Sequence, residues 1–225
     1  PDIAPGDGCV DWYGAVHGTF IAGIYTRHAP GSQVSHGKAV ADDGVVSLAS
    51  FLKTTDEVVS RGVEVLNLSL GLYRAPGIGI PGLKRAVKRW IRTSKDQHKI
   101  DLLIAAAAGN DSKSQRFYPA ALSTDPDVGA SIMAVGALDK PDEDGEVRPA
   151  EFSNYGSWVN AWAPGVELAS DYAGDGITFD YGNGVTAAFD GLATWSGTSF
   201  ATPYAAAAVM RFADANKVSP LAAWH

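Results

Sequence analysis

The chain has almost no sulfur. Among its 225 residues there is one cysteine, Cys9, and there are two methionines, so no internal disulfide can form and no cysteine-rich zinc site can be built. No stretch reaches the roughly 18 consecutive apolar residues that would span a membrane as a helix. The first residues, PDIAPGDG, have neither the basic start nor the apolar run of a signal peptide. Excess positive charge is missing too: 18 Lys and Arg stand against 25 Asp and Glu, a formal charge of −7. Such a surface repels nucleic acid on average, so neither a nucleic-acid partner nor a membrane span is expected.

Glycine, by contrast, is plentiful, at 25 of 225 residues against a usual share of about 7%. That favours tight turns and close backbone approaches over a helical bundle. A content of 46% hydrophobic and 19% charged residues is ordinary for one soluble domain. Helical patterns in LASFLKTTDEVVSRG (48–62) and PGLKRAVKRWIRTSK (81–95) alternate with strand-like runs, VEVLNLSL (63–70) and LLIAAAA (102–108). Helix, strand, helix, strand is the pattern of a parallel sheet with crossover helices, so the fold class expected is α/β. SIMAVGAL (131–138) and WVNAWA (158–163) read as further short strands, and Ser199–Ala215 reads as a helix.

Two charged segments have plain readings. The helix from Pro81 carries Lys84, Arg85, Lys88, Arg89 and Arg92 opposite a stripe of Leu83, Ala86, Val87, Trp90 and Ile91, the pattern of a solvated outer face over a buried one. Asp171, Asp175, Asp180 and Asp190 lie in a Gly-rich stretch whose spacing does not fit an EF-hand, so a solvated surface loop is expected and no metal is assigned. His28, His36, His98 and His225 sit in polar or loop surroundings and read as exposed, with no pair at zinc-ligand spacing.

His17 differs. It opens HGTFIAG, with Phe20, Ile21 and Ile24 behind it at helical spacing. In WSGTSFATP (195–203), small residues surround Ser199 ahead of an Ala-rich helix with Pro203 in its first turn. Ser199 is thus at a helix N-terminus, where free N–H groups and the positive end of the helix dipole suit an oxyanion. Alone, such a serine is usually only an N-cap. LLIAAAAGN ends a buried strand at Asn110, at the carboxyl end where parallel sheets hold ligands, and its amide N–H could donate to an oxyanion. LNLSLG ends another strand at Ser69, Leu70 and Gly71, which can offer an extended backbone edge to a peptide.

With His17, Asn110 and Ser199 in that order, the sequence resembles the subtilisin-like serine peptidases, the subtilase family. HGTxxAG (17–23), NxSLG (67–71), AAGN (107–110) and GTSxATP (197–203) are similar to its histidine, substrate-edge, oxyanion and serine motifs, and SNYGSWVNAWAPG (153–165) is similar to the segment before the serine motif. The resemblance implies a three-layer subtilisin-like fold, a mostly parallel sheet flanked by helices. It implies a serine endopeptidase working through an acyl-enzyme, with Ser199 as nucleophile, His17 as general base and Asn110 sharing the oxyanion with the Ser199 N–H. Ser69, Leu70 and Gly71 would pair with an extended polypeptide substrate, and Ala107, Ala108 and Gly109 would wall the side-chain pocket. No cofactor is implied, a monomer is expected, and secretion is favoured.

One motif is missing. The resemblance calls for an Asp-Thr-Gly or Asp-Ser-Gly on a first strand, and neither occurs; Asp2, Asp7 and Asp11 precede His17 by only 15, 10 and 6 residues. At the far end, Ser219 and Pro220 read as the N-cap and first position of a helix five residues before the last one. The expectation is therefore a partial peptidase domain over 1–225, with the orienting aspartate encoded before residue 1. The alternatives are an inactive peptide-binding module of the same family and an α/β-hydrolase. For the hydrolase, Asp214 and His225 would have to follow Ser199 as acid and base, and they lie too close to each other and to the last residue.

Overall fold

The computed structural model describes residues 10–40, 46–75, 80–180 and 186–225, without the side chains of 10–15, 173–180 and 186–190. Cys9, Asp2 and Asp7, and the carboxylates of Asp11, Asp175, Asp180 and Asp190, lie outside the described residues.

Five α-helices are described: α1 (Val10–His28), α2 (Leu48–Val59), α3 (Pro81–Thr93), α4 (Thr198–Asn216) and α5 (Pro220–Trp224). The strands are β1 (Val65–Leu68), β2 (Leu72–Tyr73), β3 (Leu103–Ala107), β4 (Phe117–Tyr118), β5 (Ile132–Leu138), β6 (Ala161–Pro164), β7 (Leu168–Asp180) and β8 (Thr186–Trp195). The central sheet runs β1-β3-β5-β6, and every pairing in it is parallel.

Strand β3 is buried along its whole length, which is why it reads as a continuous apolar run rather than an alternating one. The period of two still sorts its faces. Ile104 and Ala106 join Leu66, Leu68, Ile132 and Ala134 against Phe51 and Val59 of α2 and Leu83, Val87 and Trp90 of α3. Leu103 and Ala105 join Met133, Val135 and Ala163 against Ala201, Ala205 and Ala206 of α4. The architecture is thus helices, sheet, helices, the three-layer α/β arrangement expected. The alanines on both sides of that second interface let α4 lie close to the sheet, and this sets Ser199 at its height above the strand ends.

Helix α1 packs outside this sandwich. Its stripe Val16, Phe20 and Ile24 meets Tyr172, Ala193, Trp195 and Phe200 in a separate apolar cluster. Here one expectation fails: the stretch 171–191 is not a surface loop. Strands β7 and β8 pair antiparallel across most of it, with register shifts between Asp171 and Ile177. Gly and Asp residues scattered through both strands hide the alternation, and the partner that completes each strand is the other strand of the hairpin. Asp171 meets Arg27 of α1 at 2.5 Å.

The outer face of α3 is solvated as expected, with Arg85, Lys88, Arg89 and Arg92 exposed, and it carries ion pairs. Lys84 bonds Asp125 (2.7 Å) and Asp127 (2.8 Å), Lys88 bonds Asp127, and Arg89 bonds Asp56. These carboxylates come from a distant loop and from α2, so the helix's own sequence could not announce them. The two lysines hold Asp127 well below the usual carboxylate range, at about 2. His28 and His98 are half-buried rather than exposed: His28 stacks on Tyr204 at 4.2 Å, and the Nε2 of His98 is covered. His36 and His225 are exposed. Among the described residues no helix is long and apolar enough to cross a membrane.

Candidate active site

Ser199 is the second residue of α4, after the N-cap Gly197, so its N–H has no intrahelical acceptor. Pro203 lies in the second turn rather than the first, because the helix already begins at Thr198. A proline there cannot donate to the carbonyl four residues back, which leaves the Ser199 carbonyl open. The Ser69 hydroxyl takes it, donating at 2.6 Å, and itself accepts from Asn67 Nδ2 at 2.9 Å. In return the Ser199 hydroxyl donates to the Ser69 carbonyl at 3.2 Å. A reciprocal pair thus joins the serine to the end of β1.

Asn110 follows β3 and is exposed. Its Oδ1 accepts from both the Thr198 N–H (2.9 Å) and the Thr198 hydroxyl (2.7 Å). With the oxygen so occupied, the amide NH2 is the end left to face outward, and it lies beside Gly197: a Cβ there would sit 3.4 Å from Asn110 Nδ2. The Thr198 hydroxyl also accepts from the Gly109 N–H at 3.0 Å. Gly109 has φ +99°, and a Cβ there would strike Asn154 Nδ2 at 2.3 Å, so only glycine fits.

His17 lies on α1 with its ring against Trp195 (5.8 Å between centroids, 78°) and Phe200 (5.5 Å, 60°). Phe200 is the residue after Ser199. Among the described residues no side chain hydrogen-bonds the imidazole. Desolvation lowers its pKa to about 4, because burial among aromatic rings penalises the charged form. The neutral ring can accept a proton.

The structure thus brings Ser69, Asn110 and Ser199 together where α4 begins beside the carboxyl ends of β1 and β3, with the His17 ring of α1 against Phe200, the next residue. A cleft of about 1030 Å³ runs along the edge of β1 that has no partner strand among the described residues, and is bordered by His17, Ser69 and Leu70. Ala107 and Ala108 are buried, and they, Gly109 and Gly71 lie away from that cleft. Two residues escaped the sequence reading: Thr198, which orients Asn110, and Asn154, fully buried behind the loop. Both stand inside the quoted motifs, but only the fold shows what they touch.

Residues 12–222 match the model of the subtilase family, Peptidase S8. The chain belongs to the subtilase family. Among curated subtilase relatives it is 30% identical over 201 residues to a thermophilic serine proteinase of Bacillus sp. (strain AK1), covering 84% of this chain and 40% of that protein. It is 28% identical to subtilisin BL of Lederbergia lenta, covering 85% of this chain and 61% of the relative. It is 30% identical to the minor extracellular protease Epr of Bacillus subtilis (strain 168), covering 85% and 25%. The chain therefore spans less than two thirds of each. Among solved structures, a cold-adapted subtilisin-like serine proteinase superposes with a TM-score of 0.66 at 24% identity, over 92% of this chain and 65% of that one. A lanthipeptide protease gives 0.65 at 21%, over 91% and 63%. At these identities the superpositions speak to the subtilase fold alone.

Proposed function

We propose that this subtilase is a serine endopeptidase that cleaves an extended polypeptide through an acyl-enzyme. Ser199 attacks the scissile carbonyl while His17 takes its proton and later delivers it to the leaving amine. The oxyanion is held between the Ser199 N–H and the Asn110 amide, and Ser69, Leu70 and Gly71 pair with the substrate backbone, with Ala107, Ala108 and Gly109 behind its side chain. The observation that carries the reading is the orientation of Asn110. Both acceptor positions of Oδ1 are spent on Thr198, which leaves its donors for a developing negative charge beside the serine.

In the described state the Ser199 proton is engaged by the Ser69 carbonyl. A substrate N–H bonding that carbonyl would compete for it and free the hydroxyl to turn toward His17, as catalytic bonds in free enzymes often tighten only with substrate bound. An extracellular setting and a monomeric state are part of the proposal, the setting supported by the extracellular relative.

A second reading is an inactive peptide-binding subtilase, favoured by the absence, among the described residues, of a carboxylate bonded to His17. Incubation of the full-length protein with a denatured protein substrate separates the two. Internal cleavage that disappears in Ser199→Ala supports the endopeptidase. Saturable peptide binding with no new termini supports the binding module.

A further inference from the structure

Asn110 does its proposed work at the tip of a loop, and a tip is as precise as what holds it. On the serine side that is Thr198. On the other side stands Asn154, fully buried, between β5 and β6. Its Nδ2 donates to the Ala108 carbonyl (2.8 Å) and to the Tyr73 hydroxyl (2.6 Å). Its Oδ1 accepts from the N–H groups of Asp111 (3.1 Å) and Lys113 (3.0 Å). Its own N–H donates to the Gly109 carbonyl at 2.9 Å. An amide side chain offers two donors and two acceptors, and all four are used: three on residues just before or just after Asn110 and one on Tyr73.

Tyr73 extends the chain. Its hydroxyl accepts from Asn154 and donates to Asp111 Oδ2 at 2.5 Å, and the Lys113 ammonium lies over its ring, 5.5 Å from the centroid. Tyr73 ends β2, two residues after Gly71, and β2 pairs with β4. The backbone edge ending at Gly71 is thus joined to the loop of Asn110 by two side chains, Tyr73 and Asn154.

We infer that Asn154 and Tyr73 are positioning residues for the Asn110 amide, tying the register of the substrate-edge strand to that of the oxyanion donor. The inference rests on the endopeptidase reading above. A tie of this kind acts on the transition state, since the proposed task of the Asn110 amide is to meet the tetrahedral oxygen, while ground-state binding along Ser69–Gly71 needs the edge alone. Loss of the phenolic hydroxyl loosens the loop without opening a cavity, so Tyr73→Phe is the mild probe and Asn154→Ala the severe one.

The experiment is a kinetic double-mutant cycle on the full-length protein with a peptide substrate, using Tyr73→Phe, Asn110→Ala and the double variant, with thermal midpoints recorded alongside. Tyr73→Phe is expected to lower kcat about 10-fold with KM within about 2-fold. On the Asn110→Ala background the same substitution is expected to change kcat by less than about 2-fold, because the group it positions is gone. Binding of a peptide aldehyde, which forms a tetrahedral adduct, should weaken in step with kcat/KM. An equal loss on both backgrounds, or a rise in KM at constant kcat, overturns the inference and leaves a merely structural contact. Cleavage that persists in Ser199→Ala would instead overturn the endopeptidase reading, so the two failures are distinguishable. Asn154→Ala, if it folds, should exceed Tyr73→Phe in the same direction; an effect on KM alone counts against the inference.

Discussion

The serine corner and the histidine corner are built by different means. Around Ser199 the neighbours are polar: Asn67 bonds Ser69, and Ser69 bonds the Ser199 carbonyl. Thr198, Asn110, Asn154 and Tyr73 carry further hydrogen bonds into the loop after β3, with Asn67 Oδ1 buried without a partner among the described residues. Around His17 the described neighbours are rings, with Phe20, Trp195 and Phe200 packed within 4.7 to 5.6 Å of one another. The difference teaches what each corner can do unaided. Fixed dipoles stabilise charge without reorganising, so under the proposed mechanism the oxyanion side needs no rearrangement. Apolar packing orients the His17 ring but gives its charged form no support, so it stays neutral.

The largest break in that comparison is Ser199→Ala, expected to cut kcat/KM for peptide hydrolysis by about six orders of magnitude while the thermal midpoint barely moves. Asn110→Ala tests the polar corner next. It should lower kcat by about 10²–10³-fold with little change in KM, whereas a loss confined to KM would make Asn110 a simple binding group.

The apolar corner is tested by pH. The folded protein keeps His17 neutral down to about 4, below the usual 6.5, so between those values the unfolded chain binds a proton that the folded chain refuses. Stability from this group is complete above 6.5 and is lost progressively as pH falls toward 4. Denaturant titrations from pH 7 to 4 should show that decline, and His17→Gln should flatten it; equal slopes would contradict the burial argument. The smallest effect is Phe20→Leu, which trims the fully buried ring under His17 and is expected to cost roughly 1–1.5 kcal/mol in chemical unfolding.

Much of this was legible in the sequence. The parallel sheet was visible because β3 and β5 are unbroken apolar runs and α3 has a clean buried stripe. His17, Asn110 and Ser199 were nominated through motif order, and their roles stand as the proposal. What escaped was whatever depends on partners remote in sequence. The β7–β8 hairpin was hidden because its Gly and Asp residues mimic a loop. Thr198 and Asn154 carry no local signature of the bonds they make, 41 to 89 residues away. Pro203 was assigned to the first turn, yet its position in the second is what opens the Ser199 carbonyl to Ser69.

The central claim is that Ser199 is a nucleophile served by His17. Its most direct test is labelling of the full-length protein with a fluorophosphonate, followed by peptide mapping. The account predicts one adduct, on Ser199, formed far more slowly in His17→Ala. An adduct on another residue, or none on a folded protein, would contradict it.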